Sequence, residues 1–222
     1  MYHNTFNGKT AVVTGGSGGI GSGICRVLAQ AGGQVVVVGN SSHDKIQAVV
    51  SSLPGGPHMG ARISVEDSAG LKGLAENVKK EYGRLDLLVN NAAVTKLVPH
   101  NDLEGLDDEL IDRIFRVNLR GPLACVRAFR NLLETDEGGV VVNITSEAAV
   151  TGKGSNIAYV ASKAGLNAMT MTLARALAPK VRVFAVAPGF VDTGFVSRDP
   201  SWTKAAAAQA ILDGPLQPED IG

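Results

Sequence analysis

The sequence predicts an α/β fold in which one parallel sheet lies between two layers of helices. Short runs rich in β-branched residues recur along the 222-residue chain, and each ends in Gly, Asn, Thr or Ser. Longer segments in which apolar residues recur at helical spacing separate these runs. Strands that are apolar on both faces and alternate with helices are typical of a parallel sheet covered on each side. The predicted fold is therefore doubly wound, with three α/β/α layers.

The predicted elements follow one another without a repeat, a linker or a low-complexity segment. The stretch LPGGPHMG, which starts at Leu53, is rich in Gly and Pro and is interpreted as a loop between a helix and a strand. The strands, chosen for their β-branched residues, are TAVVT (10–14), QVVVVG (34–39), a weaker run at 60–64, LDLLVN (85–90), GVVVNIT (139–145) and VRVFAVAP (181–188). The helices, chosen for apolar residues three or four positions apart, are 20–31, 43–53, 68–82, 106–133 and 156–178.

Composition and charge favour a single globular domain over residues 1–222. The chain is 45% hydrophobic and 19% charged, which suits one sizeable core. Lys+Arg and Asp+Glu are equal at 21 each, so no net field attracts nucleic acid or an anionic membrane, and neither partner is expected. The apolar runs are too short to span a bilayer, and the first ten residues lack the apolar core of a signal peptide. We therefore expect a cytoplasmic protein.

The cysteine and histidine positions predict no metal site. Cys25 and Cys125 lie within apolar helical patterns and match no metal or redox spacing. The four histidines show no metal spacing either. We interpret both cysteines as core thiols.

A glycine-rich turn, GGSGGIG, follows the first predicted strand and leads into the first helix. Glycines in such a turn let the backbone bend tightly and approach a pyrophosphate, while the helix N-terminus supplies amide donors. No Gly-Lys-Ser/Thr closes the loop, which argues against a P-loop. The pattern predicts a Rossmann-type dinucleotide site whose contacts are Gly15, Ser17, Gly18, Gly19, Ile20 and Gly21.

A phenol and an ammonium share one face of the last predicted helix, because Tyr159 stands four residues before Lys163 in YVASK. Taken alone, such a pair is more often an amphipathic helix face than a catalytic site. A free phenol has a pKa of about 10, and a neighbouring ammonium favours its ionised form. The two groups can therefore act on one ligand.

The motifs together resemble the short-chain dehydrogenase/reductase family, in its short single-domain branch. The resemblance rests on Thr-Gly-x-x-x-Gly-x-Gly after the first strand, NNAA at 90–93, Ser146 thirteen residues before Tyr159, PGFVDT at 188–193 and Asn118 in FRVNLRG. These motifs stand in the family's order over almost the whole chain. The chain is similar to 3-oxoacyl-carrier-protein reductase-like members.

The resemblance implies a role for each matching residue. Tyr159 would exchange a proton with the substrate oxygen, Ser146 would hydrogen-bond that oxygen, and Lys163 would hold the nicotinamide ribose. Asn118 would anchor a water that relays protons to Lys163. Further cofactor contacts would come from Asn91, Ala92, Ala93, Pro188, Gly189, Val191 and Thr193, and the substrate would meet Ser146, Glu147, Tyr159, Phe190, Phe195 and Trp202.

The end of the second strand favours NADP(H) over NAD(H). Gly39 and Asn40 stand where an NAD-dependent relative usually has Asp, so the acid that repels a 2′-phosphate is missing. Asn40, Ser41 and Ser42 offer neutral donors at the start of a helix, and Lys45 follows. Gly18 is the opposing observation, because many NADP-using relatives carry Arg or Lys there.

The last part of the chain predicts a substrate lid over residues 194–216, with an Ala-rich helix between Pro200 and Asp213. The sequence ends at LQPEDIG without the further helix and seventh strand that such relatives usually have. The sixth strand is then an exposed apolar edge unless a longer chain or another segment covers it. The resemblance also implies a homo-oligomer, either a dimer through helices 106–133 and 156–178 or a tetramer.

These observations predict an oxidoreductase. The expected reaction is NADPH-linked reduction of a ketone or 3-oxo substrate, or the reverse alcohol oxidation, with Tyr159 as the acid or base. The alternative is a nucleotide-binding regulator or scaffold that keeps the fold with little turnover. Relatives of that kind usually lose the Tyr or the Lys, and this chain has both.

Overall fold

The structure is a computed structural model that describes residues 5–135, 137–196, 204, 207 and 216–222. Its strands are β1 Thr10–Thr14, β2 Gln34–Gly39, β3 Met59–Arg62, β4 Leu87–Asn90, β5 Gly139–Ile144 and β6 Val181–Val186. Its α-helices are α1 Gly19–Gln30, α2 His43–Ser52, α3 Ser68–Tyr82, α4 Asp108–Phe115, α5 Gly121–Leu133, α6 Ala148–Thr151 and α7 Ile157–Leu177. A π-helical segment, Arg116–Arg120, joins α4 to α5, and a 3₁₀ helix spans Pro218–Ile221.

The sheet has the strand order β3-β2-β1-β4-β5-β6, and all its pairs are parallel. Val13 of β1 is paired with Val37 of β2 on one side and with Val89 of β4 on the other. The order reverses direction between β1 and β4, and ligands of doubly wound sheets bind beyond the carboxyl ends of the strands at such a point. The predicted Rossmann-type fold is confirmed.

Alternate residues of each strand bury their side chains in cores on opposite faces of the sheet, as period-two geometry requires. Val12 and Val36 pack with α3 and α5 around the fully buried Phe129. Val13 and Val37 pack on the other face with Ile24 of α1 and Ile46 of α2. The two cysteines are buried thiols, one in α1 and one in α5.

The larger differences from the sequence-based expectations lie in one helix and one strand. The predicted helix 106–133 starts at Asp108, because the side chain of Asp107 caps it by accepting a hydrogen bond from Leu110 N at 2.8 Å. That helix also contains the π-helical segment, which its apolar spacing does not reveal. The weak third strand begins at Met59 and ends at Arg62, two residues before the predicted end.

β6 lies at the end of the sheet in the part of the chain that the structure describes. Phe184 is 49% exposed and Val186 is 37% exposed, so the last strand presents apolar side chains at the surface. Leu216, the last residue of the predicted lid, forms a parallel bridge with Val191, three residues before the lid begins. Most of the lid helix lies outside the described residues, and so does Trp202. None of the described helices is long and apolar enough to cross a membrane.

Candidate active site

A cavity of about 940 Å³ opens at the carboxyl ends of the strands. Residues that follow β1, β2, β4, β5 and β6 form its wall, as the position of the switch point requires. The predicted cofactor contacts that line it are Gly15, Ser17, Gly18, Gly19, Ile20, Gly21, Asn40, Ser41, Asn91, Ala92, Ala93, Tyr159, Lys163, Pro188, Gly189, Val191 and Thr193. Residues from five separate motifs therefore line one cavity.

The glycine-rich turn has the geometry of a phosphate cradle. Gly15 has a φ of +65° and packs closely on the loop after β4, since an added Cβ would lie 2.8 Å from Nδ2 of the Asn91 side chain. That amide donates to Thr14 O at 3.0 Å and to Gly15 O at 3.2 Å, which fixes the turn against the loop. Gly19 at the start of α1 touches Thr193, so a side chain there would displace the loop after β6. The turn therefore brings backbone N–H groups and a helix N-terminus to the cavity.

The end of β2 adds polar groups to the same cavity. Ser41 lines it and lies 2.9 Å from Ser17, hydroxyl to hydroxyl. Lys45 also lines it. Ser42, a predicted cofactor contact, does not line the cavity: its hydroxyl caps α2 by accepting from Lys45 N at 3.3 Å. A Ser at a helix start can cap the helix or face a ligand, and here it caps.

Asn118 is fully buried behind the cavity, which it does not line. It lies in the π-helical segment, where its Oδ1 accepts from Val94 N at 2.8 Å. Its Nδ2 donates to Val94 O at 3.0 Å and to Ser162 Oγ at 3.2 Å. The side chain therefore joins the loop after β4 to α7, and all its described hydrogen bonds are to protein groups.

Tyr159, Ser146 and Lys163 converge on the cavity from β5 and α7. Burial raises the pKa of Tyr159, and a hydrogen bond with Ser146 opposes that shift. Lys163 is only 3% exposed, and its Nζ lies 5.8 Å from the centroid of the Tyr159 ring and donates to Ile144 O at 2.7 Å. Burial lowers the pKa of Lys163 to about 8.

Comparisons with known proteins agree with this site. The sequence model of the short chain dehydrogenase family matches residues 9–204. The chain belongs to the short-chain dehydrogenase/reductase family.

Curated relatives and a solved structure share most of their length with this family member. Galactitol 2-dehydrogenase of Agrobacterium fabrum is 32% identical over 97% of this chain and 88% of its own. The 3-oxoacyl-[acyl-carrier-protein] reductase of Thermotoga maritima is 33% identical over 96% of this chain and 87% of its own. A dehydrogenase/reductase from Sinorhizobium meliloti 1021 superposes with a TM-score of 0.90 at 32% identity, over 99% of this chain and 87% of that one.

Family membership makes this short-chain dehydrogenase/reductase an oxidoreductase that acts on CH–OH or C=O groups with a nicotinamide dinucleotide. The residues present fit that cofactor. The glycine-rich turn lines the cavity, where its backbone N–H groups can approach a pyrophosphate, and Lys163 directs one of its three N–H donors to Ile144 O, which leaves two for a ligand. When bound, the cofactor supplies or accepts the hydride.

Three predicted substrate contacts line the cavity, together with several residues that were not predicted. Glu147, Phe190 and Phe195 line it, and the Phe195 ring lies 6.3 Å from that of Tyr159. Further lining residues that were not predicted are Ile63 and Glu66 after β3, Arg113 in α4, Val117 in the π-helical segment, and Ser155 and Asp192 in loops. Val117 and Asp192 lie within the FRVNLRG and PGFVDT motifs, whereas the others lie outside every motif and reach the cavity through the packing of neighbouring elements.

Asn156 fixes the start of α7, three residues before the tyrosine. It is fully buried, and its Oδ1 accepts from Tyr159 N at 2.7 Å. Its Nδ2 donates to Thr95 Oγ1 at 3.1 Å and to Lys96 O at 2.8 Å. One side chain therefore caps the helix and ties Tyr159 to the loop after β4.

Replacing Asn156 should destabilise the fold and misplace the tyrosine. In Asn156→Ala the helix loses its cap and both Thr95 Oγ1 and Lys96 O lose a donor, so we expect the free energy of unfolding to fall by about 2 to 3 kcal/mol. Urea unfolding measures this loss. Asn131→Ala, at an exposed position of α5, is the control and should change stability little; equal losses in the two variants would contradict the capping role.

Proposed function

We propose that this enzyme reduces a ketone or 3-oxo substrate with NADPH, or oxidises the corresponding secondary alcohol, and that Tyr159 is the acid or base. The observation that carries the proposal is the convergence of Tyr159, Ser146 and the buried Lys163 on the cavity that contains the glycine-rich turn. In reduction, Tyr159 gives its hydroxyl proton to the carbonyl oxygen. Ser146 donates a hydrogen bond to the same oxygen and stabilises its developing charge.

The polar surroundings of Tyr159 support this assignment. Burial alone disfavours a phenolate, so the tyrosine needs a nearby cation and a hydrogen-bond donor to exchange its proton at neutral pH. Lys163 and Ser146 supply these two groups. We propose that Lys163 also holds the ribose hydroxyls with its free N–H donors. Asn118, which lies behind the cavity, would fix the positions of Val94 and Ser162 through its hydrogen bonds. It would also hold the water proposed for the proton relay.

Kinetics with a panel of carbonyl compounds test the reaction. NADPH oxidation should be observed with at least one class among simple ketones, 3-oxoacyl thioesters and oxidised polyols. The relatives named above make the last two classes the natural ones to compare. Tight binding of NADPH with no turnover on any carbonyl would instead favour the regulator or scaffold, an alternative that no feature of the described residues favours.

We propose NADP(H) as the preferred cofactor. The cavity wall after β2 contains Asn40, Ser41 and Lys45 and lacks an acid at the strand end. The hydroxyls of Ser17 and Ser41 lie 2.9 Å apart and bond each other, which leaves one O–H of the pair free to donate to a phosphate. Gly18 also leaves open space on this side, since an added Cβ would meet only Gly15 O, at 3.4 Å.

Removing the charge of Lys45 should reduce the preference for NADPH. A hydrogen bond between charged groups contributes about 1.5 to 3 kcal/mol, so in Lys45→Gln we expect the ratio of kcat/KM for NADPH over NADH to fall about tenfold. Initial rates at matched concentrations of each cofactor measure this ratio. Lys72→Gln, at an exposed position of α3, is the control. A wild-type ratio that favours NADH tenfold or more would contradict the NADP assignment.

We also propose a single domain with a lid at 194–216 and a homodimer formed through α4, α5 and α7. The outer face of α7 supports the dimer, because it exposes Ala161, Ala164, Ala168 and Met171, small or apolar residues that suit helix packing against a second copy. Sedimentation equilibrium of the purified protein would show one protomer mass if this proposal is wrong.

A further inference from the structure

A carboxylate lies beside the proposed catalytic groups, and no step proposed above uses it. Glu147 directly follows Ser146 and stands at the N-terminus of α6. Its main-chain N–H donates to Pro188 O at 3.1 Å, which ties it to the loop after β6. Its side chain lines the cavity, and a Cβ built on Gly189 would lie 3.3 Å from its Oε2. The main chain of Glu147 is therefore tied to the loop after β6, and its carboxylate lies beside Gly189 of that loop.

The Glu147 carboxylate has no protein partner among the residues that the structure describes. The side chain is exposed to the cavity, and among the described residues it makes no hydrogen bond or ion pair. Lys153 lines the same cavity and forms no ion pair with it. An ionised carboxylate can only accept hydrogen bonds, and covering it without a donor costs free energy. A substrate that fills the cavity must therefore bring a donor to this position or leave a desolvated charge.

We propose that Glu147 makes the site selective for substrates with a hydroxyl group on the carbon next to the reacting carbon, namely hydroxyketones and vicinal diols. This inference rests on the proposed function, because it assumes that the reacting oxygen lies at Ser146 and Tyr159. Ser146 and Glu147 are consecutive residues that both line the cavity, and the neighbouring hydroxyl is placed at Glu147 while the reacting oxygen lies at Ser146 and Tyr159.

The reacting oxygen and the neighbouring hydroxyl have opposite needs. The carbonyl oxygen accepts hydrogen bonds from Ser146 and Tyr159, whereas the hydroxyl donates to Glu147. In reduction, the hydride of NADPH goes to the carbonyl carbon and the proton of Tyr159 to its oxygen, while the neighbouring hydroxyl keeps its bonds. A substrate with a carboxylate in place of that hydroxyl meets a like charge and is disfavoured.

Three ketones of matched size isolate this effect. 3-Hydroxybutan-2-one carries the hydroxyl, butan-2-one lacks it, and 2-oxobutanoate carries a carboxylate next to its carbonyl. With NADPH, the wild type should reduce the hydroxyketone with a kcat/KM about tenfold above that of butan-2-one, the equivalent of one good hydrogen bond to a charged group. In Glu147→Ala this ratio should fall to near one. In Glu147→Gln the relative kcat/KM for 2-oxobutanoate should rise about tenfold, because the repulsion is gone.

A control variant and the ratios of kcat/KM among the three ketones separate a loss of selectivity from a general loss of activity. Glu76→Gln, which removes an exposed charge from α3, should leave all three ratios unchanged. A Glu147 variant that lowers kcat/KM equally for the three ketones would overturn the inference, and so would a wild type that reduces them equally well. Turnover of other ketones but none of these three would overturn it too and leave the proposed function standing. Absence of turnover on every carbonyl would overturn both.

Discussion

Tyr159→Phe should lower kcat at least about a thousandfold while the protein still binds NADPH. General acid–base catalysis by a positioned side chain contributes about 10² to 10⁴-fold, and phenylalanine removes the proton without removing the ring. The Phe195 contact at 6.3 Å depends on the ring and should survive. Steady-state kinetics measures the loss, and fluorescence titration with NADPH measures the retained binding.

Tyr82→Phe is the matched control, because it removes a phenol that lies outside the cavity. The Tyr82 hydroxyl donates to Pro57 O at 3.5 Å, a weak contact between α3 and the loop before β3. Its removal should change kcat less than about twofold and stability by a few tenths of a kcal/mol. Turnover in Tyr159→Phe at the wild-type rate would overturn the proposed role of the tyrosine, whatever the control shows.

The fold was predictable because local and tertiary preferences agree along this chain. The run QVVVVG is β-branched throughout, and Val35 to Val38 are all fully buried in the sheet. Gly15 was predictable as part of the cradle because a positive φ and close packing leave glycine as the natural residue there. Such positions can be identified from sequence because one local requirement determines the residue.

Other parts of the site depend on contacts that a single sequence does not display. The π-helical segment places Asn118 between Val94 and Ser162, and those partners lie 24 and 44 residues away along the chain. Ser42 shows a second reason, because the same hydroxyl can cap a helix or contact a phosphate. Arg113 lines the cavity from α4, and the polar residues of that helix carry no sequence signal that tells which of them will face a cavity. Local sequence patterns do not determine these contacts, which depend on how the elements pack against one another.

Lys163→Met should abolish most turnover and at the same time remove the pH dependence that the lysine imposes on stability. Methionine keeps much of the length and loses the charge and the N–H donors, so Tyr159 loses its cation and the proposed ribose contacts disappear. We expect kcat/KM to fall about 10² to 10³-fold. The same variant also removes the cost of burying an ammonium that is only 3% exposed.

The sign of the stability effect follows from the direction of the pKa shift. Burial lowers the pKa of Lys163 from 10.5 to about 8 in the folded protein, so between those values the unfolded chain binds more protons and the wild type gains stability as pH rises. Lys163→Met lacks this gain. The variant's free energy of unfolding, relative to wild type, should therefore be highest at pH 7 and decline by on the order of 3 kcal/mol by pH 10.5.

Chemical unfolding of both proteins at pH 7, 8.5 and 10 measures this difference, in which contributions common to the two proteins cancel. Lys79→Met, at an exposed position of α3, should show a difference from wild type that stays constant over the same range. A constant difference for Lys163→Met as well would mean that the ammonium is not held at a reduced pKa in the folded protein. The proposed influence of Lys163 on the proton exchange of Tyr159 would then lose its physical basis, because a lysine with an ordinary pKa has a solvated charge and little influence on a buried phenol.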